Sequence, residues 1–231
     1  MRAVASAGSP AHIEDMNNRD AALLDVSPGE DFNFTRGRGD VLLIACGALA
    51  REIVALIEAN RWRAFDVQCL PAIWHNTPSR IPDGVRRLIR SNKGRYRSIF
   101  VIYGDCGTGG QLDRVLAEEG VERIAGPHCY SFLSGNEPFA NAAQDDVTSF
   151  FVTDYLARHF DKLVWEGLGI AAHPELLPLY FGNYTKLVYL AQTNDPALEA
   201  KARAAAARLG LAFELRFTGY GELDLALTAR A

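Results

Sequence analysis

Thiols and imidazoles recur at one kind of place in this chain, at the end of a short apolar run or just past it. Cys46 ends VLLIAC (41–46), and His75 follows FDVQCLPAI (65–73) in IWHNTP. Cys106 follows SIFVIYG (98–104) within GDCGTGG, and His128 and Cys129 follow VERIAGP (121–127) within GPHCYSF. Zinc and iron take such ligands, four in a closed site or three plus water in a catalytic one. Thiolate-rich sets also hold iron–sulfur clusters. Cys46, His75, Cys106 and Cys129 make a Cys3His set, with His128 as a substitute imidazole or an outer partner. No two of these cysteines have the C-x-x-C spacing, so the set depends on the fold to assemble it. Adjacent residues of an extended segment point to opposite faces, so one of His128 and Cys129 is expected to face the site.

The same residues admit other chemistry. GDCGTGG resembles a phosphate-binding turn, since glycine lets backbone N–H groups approach an anion at a helix start. It has neither the GxGxxG register nor a GK[ST] ending. Gly47 and Gly107, each beside a cysteine, leave room for a cofactor. A cysteine at a helix start favours its thiolate, so Cys46 and Cys106 are candidates for metal-free thiol chemistry with His75 or His128 as base. Asp105 and Glu52 are candidate proton handlers or ordinary helix-start charges. Tyr103 and Trp74, with Tyr130 and Phe132, are aromatics that suit a pocket wall or the core. Cys69 lies inside a strand and reads as packing, and His159 and His173 read as surface or capping residues.

The elements that must position these side chains alternate. VLLIAC is a continuous apolar run of the sort buried on both faces of a parallel sheet. Strands are expected at 41–46, 65–73, 98–104, 121–127, 186–193 and 211–217. Helical spacing of apolar residues predicts helices after residue 46, at 82–94, 111–120 and 195–210, and a helix over 145–160 opened by acidic residues. Pro174 and Pro178 break 171–184. The pattern implies an α/β fold, a three-layer, mainly parallel sheet with helices on both faces, Rossmann-like, with right-handed crossovers. Ligands gather outside the carboxyl ends of such strands, where the thiols and imidazoles lie. Residues 1–39 read as a partly ordered N-terminal arm containing His12 and solvated Arg36 and Arg38. Residues 40–231 read as one domain with an irregular aromatic segment at 130–185.

The bulk numbers set bounds. The chain has 231 residues, 48% hydrophobic and 23% charged, an ordinary globular balance. Its formal net charge of −4 argues against a nucleic-acid partner. No apolar run approaches the roughly 20 residues that span a bilayer, and the N-terminus does not read as a secretory signal. The expected compartment is the cytoplasm, where the four cysteines stay thiols or bind metal. Oligomerisation is left open.

LLIACGALAREI, LPAIWHNTP, VIYGDCGTGG and GPHCYSFLSGN, in that order, resemble the uncharacterised DUF1638 family. HPELLPLYFGNYTKLVYL and AAAARLGLAFELRFTGYGELDLAL resemble its second half, so the likeness covers about residues 41–227. It implies that Cys46, His75, Cys106, Cys129 and His128 match family positions of ligand type. Two departures stand out: PHCYSF has no acid between its His and Cys where the family pattern is HDC-like, and the chain ends soon after LDLAL. Family members resemble companions of corrinoid-dependent methyl transfer and methylamine metabolism, an association at the level of context.

The expected function is therefore metal binding, by zinc or iron and with an iron–sulfur cluster as a variant. An enzyme built on it would use the ion as a Lewis acid, as a hydrolase or methyltransferase acting on a small methylated-amine or one-carbon substrate. The alternatives are an accessory protein that binds a corrinoid or works beside a corrinoid protein or methyltransferase, and a metal-free thiol enzyme.

Overall fold

The computed structural model describes residues 25–35, 39–142 and 145–231. His12, Arg36, Arg38 and most of the expected arm lie outside the described residues.

The apolar runs become strands. β1 (Phe32–Phe34), β2 (Val41–Cys46), β3 (Phe65–Leu70), β4 (Ser98–Ile102) and β5 (Glu122–Arg123) form a sheet in the order β1-β3-β2-β4-β5. All pairings are parallel except β1 on β3. Every residue of β2 is buried, as a run apolar on both faces requires. Helices α1 (Ala50–Ala59), α2 (Ile81–Asn92) and α3 (Gln111–Glu119) connect the strands. Each turns an apolar face inward: Ile53 and Leu56, Val85 and Ile89, Leu112 and Val115 are buried. The chain runs outward from β2 to β3, then crosses back over β2 to β4. Connections from the central strands therefore leave in opposite directions, which opens a crevice at their carboxyl ends. Cys46 closes β2 and the Cys106 loop follows β4, so both stand at this crevice.

The chain then forms α4 (Cys129–Ser134), α5 (Asn136–Asn141), β6 (Ser149–Thr153) and α6 (Asp154–Arg158). It continues through α7 (Leu177–Phe181), β7 (Lys186–Ala191), α8 (Pro196–Leu209), β8 (Ala212–Phe217) and α9 (Gly221–Thr228). β6, β7 and β8 make a second, wholly parallel sheet in that order. The α/β class and the parallel pairing are as the sequence implies, with the strands shared between two sheets. Buried residues of both belong to one apolar cluster that runs from Val26 to Leu227.

Local signals explain both ends of α8. Asp195 accepts from the amides of Ala197 (2.9 Å) and Leu198 (3.3 Å) to cap α8, Pro196 occupies its first turn, and Gly210 ends it at φ +72°. The expected helix over 145–160 is corrected: SFFVT is β6, bonded to β7 with Ser149 opposite Lys186, and the helix starts only at Asp154. Aromatic and β-branched residues suit a strand, and pairing with β7 outweighs the helix-like acidic start. Part of the expected arm is also a strand, since β1 covers the edge of β3 with Phe32 opposite Cys69. GELDLALT, unassigned in the sequence, forms α9 and packs on α4, burying Leu223 and Leu227.

Candidate metal centre

The loop after β4 brings Cys106 to its neighbours by a tight turn. Cys106 has φ +47°, a left-handed conformation uncommon outside glycine, and Gly107 follows at φ +84°. Asp105 holds the loop: its carboxylate accepts from Gly110 N (2.7 Å), Thr108 Oγ1 (2.8 Å) and Gly109 N (3.1 Å). These bonds, that from Gly110 foremost, hold its carboxyl below the usual range. The amides of Asp105 (3.1 Å) and Cys106 (3.4 Å) donate to the Pro127 carbonyl. Gly104 touches the same segment, since a Cβ there would lie 2.7 Å from His128 Cα. Arg123 anchors that segment by donating to the carbonyls of Ile124 (2.9 Å) and Gly126 (3.0 Å) and, from Nε, to Asp113 (2.5 Å). The two loops are thus stitched together, and each carries a cysteine.

Cys106 Sγ and Cys129 Sγ lie 3.3 Å apart. With one ring nitrogen of His75 they form a group of donor atoms all within 4.8 Å of one another. His75 Nδ1 is 3.1 Å from the Ala72 carbonyl, which can only accept. That contact assigns the ring hydrogen to Nδ1 and leaves Nε2 as the donor to an ion. Cys46 Sγ is 3.6 Å from the same Nδ1 and accepts from Ala48 N at 3.4 Å. Of the expected Cys3His set, three members meet and Cys46 stands behind the imidazole. His128 caps α4, its Nδ1 accepting from Tyr130 N at 3.3 Å, with its ring 6.4 Å from that of His75. Cys129, not His128, belongs to the group of three.

Burial and mutual contact set the charges. A hydrogen bond from Cys129 and the nearby His75 push the Cys106 thiol down to about 4, against burial. The same bond and burial push Cys129 well up, so Cys106 is the thiolate and Cys129 its donor. Burial works to lower His75, but the charges of Cys46 and Cys106 prevail and hold it well above its ordinary value. Burial lowers His128.

The remaining expected site residues lie elsewhere. Tyr103 is buried, and burial together with the surrounding Cys46, Cys129, Cys69 and Cys106 raises its hydroxyl. Trp74 covers Gly84 of α2 and lies beneath Arg80, 4.7 Å away. Gly47 and Gly107 admit close chain packing: a Cβ would lie 3.1 Å from the Leu70 carbonyl at the first and 3.2 Å from Pro78 at the second. Glu52 is 4% exposed in the first turn of α1, its Oε2 lacks a hydrogen-bond partner, and burial raises it to about 7. None of these five residues lines the cavity that adjoins the cluster.

That cavity, about 190 Å³, has His75, His128 and Cys129 on one side. Leu49, Leu133, Phe150, Tyr155, Leu163 and Val164 supply apolar wall. Most of this wall comes from the aromatic, irregular stretch, where the sequence offered composition but no period to mark which side chains face inward. Tyr130, named among the aromatics, does line it.

Comparison with known proteins adds a family. A profile described as "Protein of unknown function (DUF1638)" matches residues 69–227, a span that holds His75, Cys106, His128 and Cys129 and begins after Cys46. No curated protein matches the chain. Among solved structures, ornithine carbamoyltransferase from Pyrococcus furiosus is similar at 14% identity and a TM-score of 0.25, over 90% of this chain and 62% of that one. The chain thus spans less than two thirds of that enzyme's length, and a likeness at that score carries no argument. No helix among the described residues is long and apolar enough to cross a membrane.

Proposed function

The chain belongs to the DUF1638 family, and from its paired thiols and facing imidazole we propose that it binds one zinc or iron(II) ion through His75, Cys106 and Cys129. The observation that carries this is the convergence of three soft donors, from three separate segments, within 4.8 Å. The donor set suits such an ion: two thiolates and an imidazole are zinc and iron ligands, and three protein ligands leave a position for water or substrate. The Nδ1 contact with Ala72 is the outer bond that metal-bound histidines commonly make. Two sulfurs with one nitrogen favour a single ion over an iron–sulfur cluster, which wants four thiolates.

Bound there, the ion would supply Lewis-acid activation to a small-molecule substrate. The chain's own residues do the rest: Asp105 fixes the loop, Cys106 is ready as thiolate, and the cavity sets a largely apolar wall beside the cluster. We infer an enzyme of hydrolase or methyltransferase type, with one-carbon compounds and methylated amines in their uncharged form as the first substrates to test. A corrin ring far exceeds a cavity of about 190 Å³, so a corrinoid in this reading belongs to a partner protein. A metal-free thiol enzyme is the second reading, favoured by the low value of Cys106 beside a second thiol.

Elemental analysis of protein purified without a histidine tag separates the two. The metal reading expects close to one ion per chain in the wild type and in Cys46→Ser, and little in Cys106→Ser or Cys129→Ser. Metal-free wild type that cannot be loaded, yet is alkylated rapidly at Cys106, would establish the thiol reading instead.

A further inference from the structure

The cavity beside the cluster carries information about what is bound. No Lys, Arg, Asp or Glu lines it among the described residues. Its polar wall groups are largely engaged within the protein. Tyr155 donates its hydroxyl to the Val26 carbonyl (3.0 Å), Asn76 Nδ2 donates to the Leu163 carbonyl (3.0 Å), and Thr153 Oγ1 accepts from Leu156 N (3.4 Å). Away from the His75–Cys129 end, a carboxylate or phosphate would find no Lys or Arg and an ammonium group no carboxylate, and burying either unpaired against the apolar wall is costly. The size is also limiting, since an apolar cavity of about 150 Å³ holds benzene. The one polar end is the His75–Cys129 side, where the proposed ion stands.

We propose that this cavity is the binding site of a small uncharged apolar thiol, about the bulk of a substituted benzene, whose sulfur points at the His75, Cys106 and Cys129 cluster. The inference deepens the metal reading and rests on it for the sulfur, whereas the apolar part of the site stands on the cavity alone. A thiol suits the end because ions that select thiolate ligands accept a further sulfur, and a thiol sheds its proton more readily than an alcohol. The apolar body displaces water from a wall of Leu, Val and Phe side chains.

The test uses three probes on the full chain: benzyl mercaptan, toluene as the same shape without sulfur, and para-(mercaptomethyl)benzoate as the same thiol with a charge. Binding is read by calorimetry on metal-stripped and zinc-loaded protein, with zinc content measured separately. Toluene should bind both forms saturably. Benzyl mercaptan should bind the zinc form at least about tenfold more tightly than toluene, and the benzoate more weakly than benzyl mercaptan. Leu163→Trp, or Leu168→Trp from a half-buried position should the first not fold, should abolish all three. No saturable toluene binding, or binding that survives both tryptophans, overturns the site. Stoichiometric zinc with no advantage for benzyl mercaptan overturns the thiol assignment while leaving the metal reading intact. Toluene binding in a chain that takes up no zinc supports the cavity and sinks the metal reading.

Discussion

At the scale of single residues, the site turns on which thiol holds the charge. Cys106 sits at about 4 chiefly because Cys129 donates to it. Cys129→Ala removes that donor, so in metal-free protein the pH midpoint of Cys106 alkylation should move from about 4 upward, toward the ordinary thiol value of about 8.5. An unmoved midpoint would mean that His75 alone holds the thiolate. Glu52 makes a different prediction. Its folded value of about 7 lies above the ordinary 4.5. Below pH 4.5 both states are protonated and burial costs nothing through ionisation. Between 4.5 and 7 only the unfolded state ionises, so stability falls as pH rises, by roughly 3 kcal/mol once both are charged. Glu52→Gln should remove that contribution, so the difference in unfolding free energy between variant and wild type, measured in urea, should grow in the variant's favour by roughly 3 kcal/mol between pH 4 and 8. That Cys106 and Cys129 come together was legible from their place after strands. That Cys46 stands behind the imidazole was not, because it depends on which ring nitrogen meets the Ala72 carbonyl, a matter of ångströms that residue type does not encode.

At the scale of elements, close approach of two loops makes the cluster. β2, β3 and β4 were legible because continuous apolar runs between glycines and prolines have few other uses. β6 was not, because SFFVT behind two aspartates fits a helix start as well as a strand, and only β7 decides between them. The decisive contact, Gly104 against the backbone of residue 128, is likewise long-range. Gly104→Ala places a methyl 2.7 to 2.9 Å from His128 N, Cα and C, so one loop must retreat. The expected result is a loss of about 1–3 kcal/mol from overpacking, with zinc affinity down by at least about tenfold as Cys106 leaves Cys129. Gly109→Ala is the control: a Cβ there meets nothing within 4 Å, though its φ of +60° carries a strain of its own. Metal affinity equal in the two variants would show that loop contact does not set the site.

At the scale of the whole molecule, an ion at the cluster joins segments that follow three different strands, β3, β4 and β5. Those segments also meet the second sheet's side of the protein, since Cys129 opens α4, and α4 is backed by the C-terminal α9. An ion bound only by the folded chain therefore stabilises the whole. At a free zinc concentration about 100-fold above its dissociation constant the gain is about 2.7 kcal/mol. For a chain of this size that raises the melting temperature by roughly 5–10 °C. Chelation should lower the wild-type melting temperature by that amount, with zinc restoring it, and should leave Cys106→Ser unchanged. Cys46→Ser, which keeps all three donors, should respond as the wild type does. If Cys46→Ser loses the zinc response while Cys106→Ser retains it, the ion lies on the other side of His75, between its Nδ1 and the end of β2, and the cavity faces an imidazole with no metal behind the thiol pair.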